Sequence, residues 1–474
     1  MPGTAGGLLQ QGNVVYKYSM RFLFSVILLE LAVLVRYGLP WNAMWWGILL
    51  ALPLLSLVAV KLFQPNLRAL RLVSLGLAVA AGLLFAAAVW ERHSVSQRLP
   101  LPVMRVKAEY PTESNTQSKL WYFDGSWWAM LPDGEGTSVW TRRHGRWQRD
   151  ESLDATALAS LPGVADVWSE GESVVALIAS YNRLSLVRLA FDHGTKAYRL
   201  AAAPLTWELG GSRQSPKAMK TAMITRDELG FFWIAYDFDN RIFVRRSLDR
   251  SAADWQDAMD ISAEIYHDDI AIAFPTKGGV GVVWGDQGRE ALYYREHRAD
   301  RPFGQWESTQ VLAQGNRTAD NQFNVAVALD GSIFLASKTS LDTVGEPLLS
   351  LRVKREGRWQ SVPYRLRTAV EMPNRAIAIL AGSPSCLYLV HGIFPQDDKG
   401  RDYSKSDYVA YYTVDPLTLD IPQTDRTLIS PRTGFNIRAP SSARQSIDPG
   451  VELLVLASDK HGNVYEGVLP ANCN

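Results

Sequence analysis

The stretch GFFWIAYDFDNRIFVRRSLDRSAADWQD, residues 230–257, reads as a strand, a polar turn, a second strand and a turn that closes on Trp255. Its Phe, Trp, Ile, Tyr and Val suit a pleated, half-buried surface, and DFDNR supplies turn formers. The same grammar returns in GVGVVWGDQGREALYYREHRADRPFGQWES (279–308) and GSIFLASKTSLDTVGEPLLSLRVKREGRWQS (331–361). An earlier copy is SKLWYFDGSWWAMLPDGEGTSVWTRRHGRWQR (118–149). The closing tryptophans are Trp147, Trp255, Trp306 and Trp359, and the last three stand 51 and 53 residues apart. The longer gap from Trp147 to Trp255 holds two units, the one between closing on Tyr198.

Strands and turns repeating at about 50 residues mean one four-stranded sheet per unit. Such a sheet cannot bury both faces alone, so the units stack radially. The expected fold is all-β: a β-propeller of about seven four-stranded blades over residues 118–474. Units fall near 118–158, 161–207, 216–262, 267–313, 320–366 and 374–430, with a partial one at 449–469. Residues 96–117 form a linker. Within it LPVMRVKAEY (101–110) reads as one extended strand, which would complete the last unit and close the ring. Closure removes free sheet edges. No amphipathic helices intervene, which argues against an α/β sheet.

The turn before each Trp carries a family likeness. Ser247-Leu-Asp249-Arg-Ser251-Ala-Ala-Asp-Trp255 resembles the Asp-box, S-x-D-x-G-x-x-W, of sialidase-like (BNR-repeat) propellers. Asp300…Trp306 is a poorer copy, and Gly145-Arg-Trp147 and Gly357-Arg-Trp359 keep only glycine and tryptophan. The opening KLWYFDGSWWAML (119–131) resembles the first blade of bacterial membrane-anchored propellers of this class. The resemblance covers about residues 118–470. It implies that Asp249, Trp255, Trp306 and Trp359 are structural turn residues, lying on the face opposite the usual ligand site. Ligand contacts would then come from the turns between second and third strands and from the links between blades. The candidates are Arg183, Asp237, Arg241, Asp286, Arg289 and Arg401.

The family's enzymes need three arginines gripping a carboxylate, a Tyr–Glu nucleophile pair and an Asp acid/base. Arginine suits the grip through its bidentate fork. The candidate arginines therefore invite an acidic ligand, but each has acids beside it, which favours solvated salt-bridged loops. No motif marks a catalytic residue, and Glu264 and Tyr266 are neighbours only in sequence. The leading expectation is a binding or scaffolding module for a glycan, envelope polymer or partner protein. The alternative is a membrane-tethered sialidase-like glycosidase or lyase with a deep, arginine-lined central pocket.

The seven histidines are scattered without zinc spacing, and Asp397 to Asp402 lacks the glutamate of a calcium loop. No metal or cofactor is expected. With 49 basic and 48 acidic residues, nothing suggests a nucleic-acid partner.

Residues 1–95 read as a membrane anchor with helices near 20–36, 43–62 and 72–90. Leu72 to Trp90 is uncharged and close to the ~20 residues that cross a bilayer. The first stretch, interrupted by Glu30, either spans or lies in the interface. Lys61, Arg68 and Arg71 form a basic loop expected to stay cytoplasmic, which places the large domain outside a bacterial inner membrane. In that oxidising compartment Cys386 and Cys473 either pair or stay free.

Overall fold

The computed structural model describes residues 101–470, apart from 115, 211–217, 382–385, 398–399, 403–406, 431–435, 446 and 448–449. The expected membrane helices and Cys473 lie outside the described residues. Among the described residues no helix is long and apolar enough to cross a membrane.

Seven antiparallel sheets form a seven-bladed propeller. The first blade comprises Leu120–Phe123, Ser126–Asp133, Gly136–Arg143 and Arg146–Arg149. The second comprises Val164–Ser169, Ser173–Ser180 and Arg183–Asp192, with Ala197–Leu200 and Leu205–Glu208 both paired to its third strand. The third runs Ala222–Arg226, Phe232–Phe238, Arg241–Arg246 and Met259–Asp260. The fourth runs Ala271–Thr276, Gly279–Asp286, Ala291–Arg298 and Gln310–Gln314. The fifth runs Phe323–Val327, Ile333–Lys338, Pro347–Arg355 and Arg358–Leu366. The sixth has Glu371–Ala381, Cys386–Asp397, Tyr408–Val414 and Arg426–Ile429. The seventh joins Ile437–Ser441, Leu453–Asp459 and Asn463–Leu469 to Met104–Arg105 from the other end of the chain. Met104 lies opposite Val464, so the two ends of the propeller share one sheet.

One boundary differs from the expected pattern. The seventh blade begins at Ile437, not 449, because IRAPS (437–441) serves as its inner strand. Its five residues hold a one-residue bulge and Pro440, too short and irregular a run for a period-2 signal.

The aromatic punctuation has a packing cause. In each of the first five blades the closing ring reaches the preceding blade. Trp147 Nε1 donates to Glu466 of the seventh blade at 2.7 Å. Tyr198 meets Trp128 of the first blade edge-on at 4.9 Å, and Trp255 meets Trp207 of the second at 5.7 Å. Trp306 lies 5.8 Å from Trp233 of the third, and Trp359 lies 5.4 Å from Tyr294 of the fourth. The apolar core follows the same rule: its clusters lie between facing sheets, as where Trp233, Ile242 and Val244 meet Ala273, Val282 and Trp284.

The Ser247–Trp255 turn links the third and fourth strands of its blade, and the two residues form an isolated bridge. Asp249 accepts from the backbone N–H of Ser251, Ala253 and Asp254 and from Ser251 Oγ. Burial pulls its carboxyl up, but those hydrogen bonds outweigh it and hold the pKa at about 2. Cys386 is buried and disulfide-bonded.

Candidate ligand site at the mouth of the central channel

The turns between second and third strands share a face with the links between blades. Backbone bonds join the two sets: Leu209 N to Asn182 O at 2.7 Å, Ile265 N to Asn240 O at 2.9 Å, and Gly315 N to Glu290 O at 2.8 Å. All six sequence-derived candidates lie in or beside these turns. They do not converge. Arg183 Nε is paired with Glu208 at 2.6 Å, and the exposed Arg241 with Asp260 at 2.5 Å. Arg289 is paired with Asp286, three residues before it, and also donates to Glu264 O at 2.5 Å. Asp237 is buried, and its two oxygens accept from Lys220 N and Thr221 N, each at 2.8 Å. Burial lifts its pKa to about 7 against those bonds. It ties the link to its own blade. Arg401 lies in a short strand, Gly400–Arg401, paired with the end of Cys386–Asp397.

A different set of residues converges at the ring axis. After Met104–Arg105 the chain crosses this face from the rim to the inner strand of the first blade, and it touches five blades on the way. Thr112 N donates to Ser458 Oγ at 3.0 Å in the seventh, and Arg375 of the sixth pairs with Glu113 at 2.6 Å. Thr116 O accepts from Asn324 of the fifth at 3.4 Å. Gln117 Nε2 donates to Ala222 O of the third at 2.7 Å, and Ser118 N to Asp166 of the second at 2.7 Å. Asp166 also accepts from Ile224 N at 2.7 Å and pairs with Arg444. Lys119 is wholly buried here, and burial lowers its pKa to about 7 while Asp166 and Glu113 oppose the shift. The crossing segment therefore occupies the channel mouth.

Two inner strands are distorted at this point. The sixth-blade strand carries an extra residue between Asn374 and Ile377, and the seventh-blade strand one between Arg438 and Ser441. Such bulges re-aim a side chain at the expense of regular pairing. Arg375 sits at φ +52° and Ala439 at +49°, left-handed values that side-chain-bearing residues rarely adopt. Neighbours support the first bulge: Arg375 N donates to Gln322 Oε1 at 2.9 Å and Ala378 N to Asn324 Oδ1 at 3.2 Å.

The outcome is a pair of half-buried guanidiniums, Arg375 and Arg438. Burial lowers the Arg375 pKa, Glu113 opposes the shift and Arg438 adds to it, so the two cations feel each other. Arg438 packs over the Tyr110 ring at 4.5 Å. Among the described residues it has no carboxylate within ion-pair reach, and its buried Nε has no acceptor. Sequence reading missed Tyr110, Glu113, Arg375 and Arg438. The one local clue was a proline turn, Tyr110-Pro-Thr-Glu113, inside the closing segment.

Two open grooves lie on the opposite face. One, of about 410 Å³, is lined by Trp168, Arg226, Leu229 and Arg250, and another, of about 500 Å³, by Lys277, Glu296 and Arg298. Their charges alternate, as in Arg226 with Glu170 and Arg298 with Asp300 at 3.0 Å. Among the described residues no group of three His, Cys, Asp or Glu could hold a metal ion.

No protein-family model matches the chain, and no curated protein does. Solved structures do. An ulvan lyase of polysaccharide lyase family PL25, bound to -[GlcA(1-4)Rha3S]-, superposes with a TM-score of 0.50 at 9% identity, over 78% of this chain and 96% of that one. The polysaccharide lyase Uly1 matches with 0.44 at 10% over 76% and 91%, and an α-L-arabinanase of Penicillium chrysogenum complexed with arabinobiose with 0.42 at 12% over 67% and 98%. At these identities the first match shows the shared propeller fold.

Proposed function

We propose that this chain is a membrane-anchored, extracytoplasmic propeller that binds an acidic glycan or envelope polymer at the mouth of its central channel. The observation that carries the reading is Arg438, half-buried beside Arg375 and, among the described residues, without a carboxylate of its own. Two neighbouring guanidiniums, each partly shielded from water, favour an anion, and arginine's fork matches carboxylate or sulfate. The ulvan lyase of the same fold was solved with a saccharide containing GlcA, which is in keeping with an acidic sugar. The anchor rests on the uncharged spans within residues 43–90 and on the basic loop at 61–71. The hydrogen bonding around Asp249 supports an Asp-box turn of the sialidase-like kind.

The test is titration of the full chain, in detergent, with an oligogalacturonate and with a neutral oligosaccharide of equal length. Binding of the acidic probe alone is expected, with Arg438→Ala weakening it about tenfold or more. Equal binding by that variant would remove the reading. Placement is checked separately, by protease access to residues beyond 100 in intact cells.

A second reading, a tethered glycosidase or lyase, is favoured by one contact. Tyr408 Oη donates to Glu371 Oε1 at 2.5 Å, and Arg365 joins Glu371 at 2.7 Å to Asp425 at 3.3 Å. A tyrosine–carboxylate pair is what such chemistry needs. The accompanying three-arginine grip is not assembled by Arg183, Arg241 and Arg289, which sit in separate pairs on other blades. Turnover of an acidic polysaccharide, abolished in Tyr408→Phe, would establish this reading over simple binding.

A further inference from the structure

We infer that Glu113 is an internal occupant of the arginine recess, standing where a ligand's acidic group would lie, and that it determines how tightly and how selectively the recess takes anions. The inference rests on the recess being the acidic-ligand site proposed above.

The geometry resembles a ligand held on a finger. Tyr110-Pro111-Thr112-Glu113 is a tight turn, closed by Glu113 N donating to Tyr110 O at 2.8 Å. Proline at the second position presets the backbone for such a turn. Thr112 pins the tip: its N–H donates to Ser458 Oγ at 3.0 Å, and its hydroxyl donates to Arg438 O at 3.3 Å. The two ends of the turn then address the two arginines separately. Tyr110 lies under Arg438, and Glu113 pairs with Arg375. Tyr110 itself sits at φ +45°, so three left-handed residues, Tyr110, Arg375 and Ala439, gather at one place. Backbone strain of this kind concentrates where a constellation is held for use.

The charge balance is uneven. Glu113 neutralises one guanidinium and leaves the other open. An incoming carboxylate at Arg438 meets Glu113 as a like charge close by, which disfavours it. The Glu113 side chain is 34% exposed and that of Arg375 20%, so the pair borders solvent and an arriving anion can compete for it. The recess as it stands accepts a single acidic group and discriminates against closely spaced ones. Removal of the Glu113 charge leaves two cations facing the ligand.

The experiment uses the full chain in detergent, with trigalacturonate as the acidic probe and maltotriose as the neutral one. Glu113→Gln should bind trigalacturonate about fivefold or more tightly than the parent, within the usual range of coupling between sites. The double variant Glu113→Gln/Arg438→Ala should lose that gain, and maltotriose should not respond. Glu113→Ala must reproduce the gain, which guards against a fold-specific failure of the glutamine variant. If the parent binds and neither Glu113 variant binds more tightly, the internal-occupant idea falls while the proposed function stands. If only the Glu113 variants bind, the inference stands and the parent chain is not a constitutive acid binder. If none binds, both are wrong.

Discussion

The inner strands of the third and fourth blades and those of the sixth and seventh occupy equivalent places in the ring, yet they are built differently. Ala222–Arg226 and Ala271–Thr276 pair with their neighbours in unbroken register. Glu371–Ala381 and Ile437–Ser441 each carry one extra residue and one left-handed one. On the regular side, carboxylates such as Asp237 are consumed by the backbone they fix. On the bulged side, Arg375 and Arg438 both contact the crossing segment, and among the described residues only Arg375 has an acidic partner. Irregular pairing also occurs farther out in the fourth and fifth blades, but among the described residues only the sixth and seventh carry it on the inner strand.

The comparison can be broken most forcefully at the axis. Asp166 accepts bonds from the crossing segment and the third blade and pairs with the largely buried side chain of Arg444. Asp166→Ala leaves that arginine unpaired and should cost about 3–5 kcal/mol, read as a lower midpoint in denaturant. A loss under about 1 kcal/mol would mean the polar stitches do not hold the ring. Next comes the regular side, where Trp306 packs half-buried on Trp233. Trp306→Ala should cost about 2 kcal/mol, less than the 3–5 typical of fully buried tryptophan.

Acidity separates the two sides more finely. Burial raises Asp237 and Asp269 to about 7. Each folded carboxyl keeps its proton where the unfolded one has lost it, so each favours the folded state at low pH. That contribution is fully present below the unfolded pKa and fades as pH rises from about 4 to 7. The parent should therefore gain thermal stability relative to Asp237→Asn/Asp269→Asn as pH falls from 7 to 4. A difference that is flat across that window would refute the assignment. Ala439→Gly tests the bulge itself: relief of the left-handed alanine should add up to about 1 kcal/mol. Last, Arg183→Ala should shift stability by no more than about 0.5 kcal/mol, because its pair with Glu208 is open to solvent.

Much of the ring was legible from Trp147, Tyr198, Trp255, Trp306 and Trp359, because one aromatic per unit must land on the blade before it. Ring closure by the 101–110 stretch was legible for a related reason, since a ring of sheets leaves an edge unless the two ends of the propeller meet, but only Met104–Arg105 of that stretch pairs as a strand. The inner strand at 437–441 was not, since five residues holding a bulge and a proline are too short and irregular to show the alternation that betrays a strand. The candidate turns share a face with the links between blades, but Arg183, Arg241 and Arg289 are each held there in an ion pair. A neighbouring acid in the sequence pointed that way only for Arg289, whose partner Asp286 is three residues before it, whereas Glu208 and Asp260 are 25 and 19 residues from Arg183 and Arg241.

The sequence by itself determined an all-β repeat, its period, the face on which turns and links gather, and the uncharged N-terminal spans. These follow from side-chain alternation and composition, which are local properties. Only the tertiary structure decided which polar groups meet at the axis. Glu113, Arg375 and Arg438 come from a crossing segment and two different blades, and each arginine stands at a one-residue irregularity of its inner strand. A bulge of one residue leaves no mark on a period of about fifty, and a like-charge pair forms only where folding brings distant backbones together.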